Sequence, residues 1–177
     1  MQAPDELSRG TRVPRDLARG RVPSSGVGSN RVPIMHSANL FGNSIQKSQS
    51  WVDEIDTLID WDDRRSALRA LRLVLHVWRD RLPLNESAQF AAQMPTLIRG
   101  IYYEGWRPSE TPDKRLTRSE LLLELEEAFP DYDAETICRA VCKVIARHVS
   151  PGEIRDIQAA LPKPLRELWI EPAPLEI

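Results

Sequence analysis

The sequence contains no apolar run long enough to cross a membrane. No stretch of its 177 residues approaches the roughly 18 consecutive apolar side chains that a membrane-spanning helix requires. Residues 1–30 also lack the apolar core of a secretory signal. We therefore expect a cytoplasmic protein that does not associate with membranes.

Cysteine is scarce as well, because Cys138 and Cys142 are the only two. They lie four residues apart in a stretch with helical periodicity, so both thiols would project from one helical face. This arrangement is poor for a structural disulfide and favours a reducing compartment.

The motifs of the common enzyme classes are also missing. The chain has no glycine-rich phosphate loop, no His-Glu-x-x-His pair, no nucleophile elbow and no Cys/His set that completes a tetrahedral metal site. No metal or other cofactor is expected, and an enzyme is the least favoured class of function.

The formal net charge is only −2, but it is unevenly distributed. Residues 1–48 contain seven Lys/Arg and three Asp/Glu, whereas residues 49–177 contain 17 and 23. Proteins that bind nucleic acid typically present a basic face rather than an acidic folded part. Nucleic acid is therefore an unfavoured partner.

Composition divides the chain into three segments. Residues 1–34 are rich in Arg, Gly, Pro and Ser, repeat Arg-Val-Pro three times and show no periodicity, which is typical of a disordered extension. The repeats would suit a docking motif or a basic tether, but an unselected extension upstream of a start at Met35 is the simpler interpretation. Residues 35–171 are expected to form one helical domain, followed by a short tail at 172–177.

From Asn43 onward, apolar residues recur with the 3.6-residue period of helices, and no stretch alternates as a strand does. A helix from Asp62 to Leu82 is apolar on nearly every side, which is typical of a central helix. The sequence therefore predicts an all-α domain. The predicted capping residues are Asn43, Thr117, Asp133 and Ser150, the second and fourth in capping boxes with Glu120 and Glu153. Ile45 is placed on the apolar face of the first helix, and a short fourth helix is expected to contain Leu97, Ile98 and Ile101.

The two halves of the helical domain resemble each other. A shift of 67 residues places Glu86 on Glu153, Met94-Pro95 on Leu161-Pro162 and Ile98-Arg99 on Leu165-Arg166. Upstream, a shift of 70 fits better, and one three-residue gap reconciles the two. We expect a helical bundle of two diverged repeats, about 43–106 and about 117–170, related by a pseudo-twofold axis.

Two stretches are distinctive: LIRGIYYEGW at 97–106 and VIARHVSPGEI at 144–154. Together with residues 70–83 and 161–169, they resemble the bacterial family labelled domain of unknown function 2267, over about residues 40–169. The resemblance implies a small helical bacterial protein, and it implies no activity.

The predicted central helix carries a cationic stripe whose members are spaced alternately by four and three residues, which keeps them on one narrow face. The members of the stripe are Arg65, Arg69, Arg72, His76 and Arg79. Guanidinium groups on such a face would suit an anion-binding groove. The alternative, which we favour, is pairing with acidic outer helices. The acidic residues available are Asp53, Glu54, Asp56 and Asp60 in one helix and Glu120, Glu124, Glu126 and Glu127 in its counterpart.

Tyr102, Tyr103 and Trp106 lie where a helix runs into a loop. Aromatic residues at such a junction fit a hot spot for a partner protein. They fit equally well a plug that closes the core, and the core interpretation is slightly favoured. Gly105 is expected to supply a left-handed cap to the helix.

Glu86 with Arg99, and Glu153 with Arg166, occupy equivalent places in the two repeats. We expect each carboxylate to form a structural ion pair with its arginine across the proline break. Catalytic carboxylates would require both glutamates to converge on one cleft.

These patterns favour a non-catalytic helical module that binds another protein or itself through its acidic faces and the Tyr102–Trp106 region. The alternative is a small-ligand or anion-binding protein that uses the Arg65–Arg79 stripe.

Overall fold

The computed structural model describes residues 41–169, and the predictions for residues 1–34 and 172–177 lie outside that range. All regular structure within it is helical, which confirms the all-α prediction. The helices are α1 (Gly42–Ile59), α2 (Arg64–Arg81), α3 (Leu84–Ala92), α4 (Thr96–Tyr103), α5 (Arg118–Ala128), α6 (Ala134–His148), α7 (Pro151–Ala160) and α8 (Lys163–Arg166). Short 3₁₀ turns follow α4 at Pro108–Glu110 and α8 at Glu167–Trp169.

Helices α2 and α6 form the centre of the domain. Each contributes eight buried residues, more than any other helix. Helix α1 packs on both of them, as does α5, while α4 packs on α2 and α1. Helix α3 packs on α7 and thereby joins the first half of the domain to the second. The apolar character of α2 on nearly every side follows from this central position.

Three predicted helix starts are confirmed by their capping contacts. Thr117 and Glu120 form both halves of a capping box, with Thr117 N donating to Glu120 Oε2 at 2.7 Å and Glu120 N to Thr117 Oγ1 at 3.3 Å. Asp133 accepts from the amide of Thr136 at 2.7 Å, and Ser150 accepts from the amide of Glu153 at 3.3 Å.

Two predicted starts are wrong by two residues, because Phe41 is the N-cap of α1 and α2 begins at Arg64, and one capping box is incomplete. Helix α1 begins at Gly42 without a side-chain cap, so Asn43 lies inside it. Asp63 rather than Asp62 caps α2, because Asp62 adopts a left-handed conformation (φ 51°) in the turn before the helix. The amide of Ser150 donates to Gln93 Oε1 at 2.8 Å instead of to Glu153, and the side chain of Glu153 is buried.

Helices α1–α4 and α5–α8 follow the same order, with two longer helices before two shorter ones. Pro95 precedes α4 and Pro162 precedes α8 at the same capping position, in agreement with the shift of 67 residues. The pseudo-twofold relation between the halves stays a prediction.

Candidate functional site

The C-terminal half of the cationic stripe is bound to the end of α4. Arg79, only 5% exposed, donates through Nη1 to the carbonyls of Tyr102 and Glu104, both at 2.8 Å. Its Nε and Nη2 donate to the two carboxylate oxygens of Asp80, both at 2.7 Å. The last carbonyls of a helix have no intrahelical partner and carry the negative end of its dipole. The buried guanidinium therefore has an anionic partner and stabilises this helix end.

Two further stripe residues reach the same helix end. His76 Nε2 lies 2.8 Å from the carbonyl oxygen of Ile101. Burial lowers the pKa of His76, so the ring is neutral near pH 7 and carries its proton on Nε2, where the carbonyl can accept it. Arg72 Nε lies 3.1 Å from Glu104 Oε2. The end of α4 is thus held by three consecutive members of the stripe.

The N-terminal half of the stripe is exposed. Arg69 donates through Nη1 to the carbonyl of Ala128 at 3.2 Å, at the end of α5, and its guanidinium lies 5.3 Å from the centre of the Phe129 ring. Arg65 forms no ion pair with any residue between 41 and 169. The structure therefore does not bring the five stripe residues together around one open groove.

The predicted pairing with acidic outer helices is seen for α1 but with other partners. Asp53 binds Arg64, with 2.7 Å between Arg64 Nε and Asp53 Oδ1. Glu54 binds His148 at 2.6 Å and Arg147 at 3.3 Å. In contrast, the counterpart residues Glu124, Glu126 and Glu127 of α5 are exposed.

Tyr102 belongs to the core, whereas Tyr103 and Trp106 are half-buried. The Tyr102 hydroxyl lies 2.7 Å from Ser87 Oγ, and its ring meets Phe90 edge-on with 5.5 Å between centres. Burial raises the pKa of Tyr102 well above its ordinary range. Tyr103 and Trp106 stack with 5.1 Å between ring centres. Gly105 has a positive φ of 67°, as the predicted left-handed cap requires.

The expected ion pairs of Glu86 with Arg99 and of Glu153 with Arg166 are not formed within residues 41–169. Arg99 donates instead to the carbonyls of Ala91, Ala92 and Met94 at 2.8–3.1 Å. Arg166 donates to the carbonyl of Leu161 at 3.4 Å, the position equivalent to Met94. Each arginine therefore caps the end of the preceding helix. The free carbonyls at that helix end lie within hydrogen-bond distance of the arginine, whereas the carboxylate lies at the other end of the same helix.

The two glutamates approach each other across the α3–α7 contact. Glu153 is 7% exposed and its Oε2 accepts from Gln93 Nε2 at 3.1 Å, while Oε1 has no hydrogen-bond partner. Burial raises the pKa of Glu153, and the charges of Glu86 and Asp156 raise it further. This carboxyl is therefore poorly stabilised in its ionised form.

Sequence reasoning missed an apolar groove of about 360 Å³ between α1, α2 and α4. Its apolar walls are formed by Ile45, Val52, Leu68, Leu97, Ile98 and Ile101. Ile45, expected on the apolar face of the first helix, is 43% exposed at its edge, and Leu97 is 49% exposed. The sequence signal for this groove is in α4. Ile98 and Tyr102 form one apolar line, which is buried, and Leu97 and Ile101 form a second apolar line, which is only partly buried. The first line is sufficient for a helix of eight residues to pack on α2, so the second line forms an additional apolar surface.

The charged residues at the groove are Asp53, Arg64 and Arg65. Asp53 and Arg64 neutralise each other as an ion pair, and a hydrogen bond joins Arg64 Nη2 to Asp53 Oδ2 at 3.1 Å. Arg65 lies at the rim, where it forms no direct ion pair with residues 41–169, although the nearby charge of Asp63 interacts with it.

Cys138 and Cys142 are free and buried in α6, and burial raises the pKa of the Cys142 thiol. In the described part of the chain, no three His, Cys, Asp or Glu side chains are arranged to hold a metal ion. None of the helices between residues 41 and 169 has the length and apolar character needed to cross a membrane.

Comparison with curated proteins found no match to the chain. The model of one family, described as "Uncharacterized conserved protein (DUF2267)", matches residues 48–168. That range includes helices α2 to α8 in full, most of α1 and nearly every residue of the groove. Because the match spans well over half of the sequence, the chain belongs to the DUF2267 family, as its resemblance predicted.

Proposed function

We propose that the protein is a non-catalytic, cytoplasmic interaction module that binds a segment of a partner protein in the groove between α1, α2 and α4. The observation that carries this proposal is the pair of large apolar side chains, Ile45 and Leu97, held exposed at the edge of an apolar cavity. Burying apolar surface contributes roughly 25 cal/mol per Å², so a segment that covers these residues gains affinity from the contact. A reducing, cytoplasmic location is supported by the two buried free thiols.

The open shape of the groove favours a polypeptide over an enclosed small ligand. Pockets for small molecules surround most of the ligand surface, whereas two of the walls here end in side chains that are nearly half exposed. Grooves between helices that receive the apolar face of a peptide are a recurring mode of recognition.

The alternative, an anion-binding stripe, has less support from the contacts. Arg72, His76 and Arg79 are engaged with the end of α4, and Arg69 already donates to the end of α5. An incoming phosphate would compete with these contacts at four of the five stripe residues.

The proposal is tested by selecting peptides from a displayed random library on the purified protein. We expect the selected peptides to bind the Leu97→Glu variant at least about tenfold more weakly than the wild type, because a carboxylate would then occupy the apolar wall. Leu123→Glu is the matched control, since Leu123 is equally exposed but lies on α5, outside the groove. Peptides that bind the Leu97→Glu variant as tightly as the wild type, or a selection that enriches nothing, would contradict the proposal.

A further inference from the structure

We infer that the partner segment is acidic: it places a carboxylate beside its apolar side chains, and Arg65 at the rim of the groove binds that carboxylate. This inference rests on the proposed function and specifies the chemistry of the partner.

The first argument is that the acidic groups near Arg65 are already engaged. Asp53, which lines the groove, is held by both ends of the Arg64 guanidinium at 2.7 and 3.1 Å. Asp63 caps α2, where its carboxylate accepts from the amide of Arg65 at 2.9 Å and from the hydroxyl of Ser66 at 2.8 Å. These hydrogen bonds lower the pKa of Asp63, so the carboxylate stays ionised in its capping role. Neither carboxylate forms a direct ion pair with the Arg65 side chain, and the nearby charge of Asp63 acts on Arg65 without occupying its donors.

The second argument compares Arg65 with the other members of its stripe. From residue 69 onward, every stripe residue bonds to the end of a neighbouring helix. Arg65 has the same position on the helix face but no helix end beside it, because the groove lies there instead. Its guanidinium therefore has its donors available to a group that enters the groove.

The third argument is geometric complementarity. The guanidinium is a planar fork that binds a carboxylate through two parallel hydrogen bonds. With apolar walls on one side and Arg65 at the rim, the groove favours a segment that carries apolar side chains flanked by Asp or Glu. The exposed acidic side chains of α5, including Glu124, Glu126 and Glu127, would repel such a segment elsewhere on the surface and direct it to the groove.

The experiment repeats the peptide selection in parallel on the wild type and on the Arg65→Glu variant. We expect peptides from the wild type to be enriched in Asp and Glu beside their apolar residues, and peptides from the variant to be enriched in Lys and Arg. For one wild-type peptide measured by titration calorimetry, Arg65→Glu should weaken binding about tenfold or more, and added salt should reduce the difference. Arg155→Glu is the control, because Arg155 is an exposed arginine on α7, away from the groove.

Each outcome has a distinct meaning. Peptides that depend on Leu97 but show no acidic preference, or that bind the Arg65→Glu variant as tightly as the wild type, would overturn the inference while leaving the proposed function intact. Failure to select any Leu97-dependent peptide would instead contradict the proposed function. Sedimentation velocity of the protein alone completes the test. A dimer that Leu97→Glu dissociates would assign the groove to a second copy of the chain and overturn the inference.

Discussion

The two ends of the cationic stripe on α2, Arg65 and Arg79, are arginines on the same helix face, yet their environments are opposite. Arg79 is buried and makes four hydrogen bonds, whereas Arg65 is exposed at the rim of a groove. The difference arises from what packs beside each arginine. The carbonyl end of α4 lies against Arg79, and an open apolar cavity lies beside Arg65. A periodic row of charges on a helix can therefore serve folding at one end and recognition at the other.

The largest effect should come from removing the buried cation. Arg79→Ala leaves two carbonyls at the end of α4 and the Asp80 carboxylate without their donor, so we expect the free energy of unfolding to fall by about 3 kcal/mol. Chemical denaturation followed by circular dichroism measures the change. Arg65→Ala is the matched control and should change stability by less than ~0.5 kcal/mol. Equal losses for the two variants would break the contrast between the two halves of the stripe.

A smaller effect is expected at the helix end that the stripe holds. Tyr102→Phe removes the hydroxyl that lies 2.7 Å from Ser87 Oγ and leaves the buried serine without this partner. We expect a loss of about 1–2 kcal/mol in the same denaturation experiment. Tyr103→Phe, at the half-buried neighbour, should cost less than ~0.5 kcal/mol. If Tyr103→Phe were the more costly change, our assignment of Tyr102 to the core would fail.

The smallest effect should be a gain in stability, at a buried anion rather than a cation. Glu153→Gln removes a charge that burial disfavours while keeping an oxygen for Gln93 Nε2. We expect the variant to be more stable than the wild type near pH 7 by on the order of 1 kcal/mol.

The pH dependence of this gain follows from the direction of the pKa shift. The pKa of Glu153 is raised in the folded state. Its contribution to wild-type stability is therefore present in full below the ordinary glutamate value of 4.5 and is lost as pH rises through the folded pKa. The advantage of the variant should therefore disappear as pH falls to about 4.5. Thermal unfolding at several pH values checks this, with Glu126→Gln, at an exposed glutamate of α5, as the control. An advantage that stayed constant over this range would show that charge is not its cause.

The helical architecture could be read from the sequence because local signals determine it. The apolar period identified the central helix α2, and the caps at Thr117, Asp133 and Ser150 were confirmed by their contacts. Pro95 before α4 and Pro162 before α8 also hold the same capping position. These features depend on residues within one turn of each other, so spacing alone carries the information.

The site could not be predicted to the same extent, because it depends on which elements meet. The arginines at 99 and 166 were expected to bind glutamates, but helix ends lay closer to them. Ile45 and Leu97 are apolar and in register with the core, and only the packing of α1, α2 and α4 shows that they face a cavity. Long-range geometry of this kind leaves no periodic trace in a single sequence.

The side chain of Gln93 connects the two halves of the domain. Its amide accepts from Ser150 N and donates to Glu153 Oε2, so one residue at the end of α3 completes the start of α7. The start of α7 is therefore finished by a residue from the opposite half of the sequence. The loop between α4 and α5 therefore does not separate two independent halves, and a fragment that contains α5–α8 alone would lack a piece of its own helix cap.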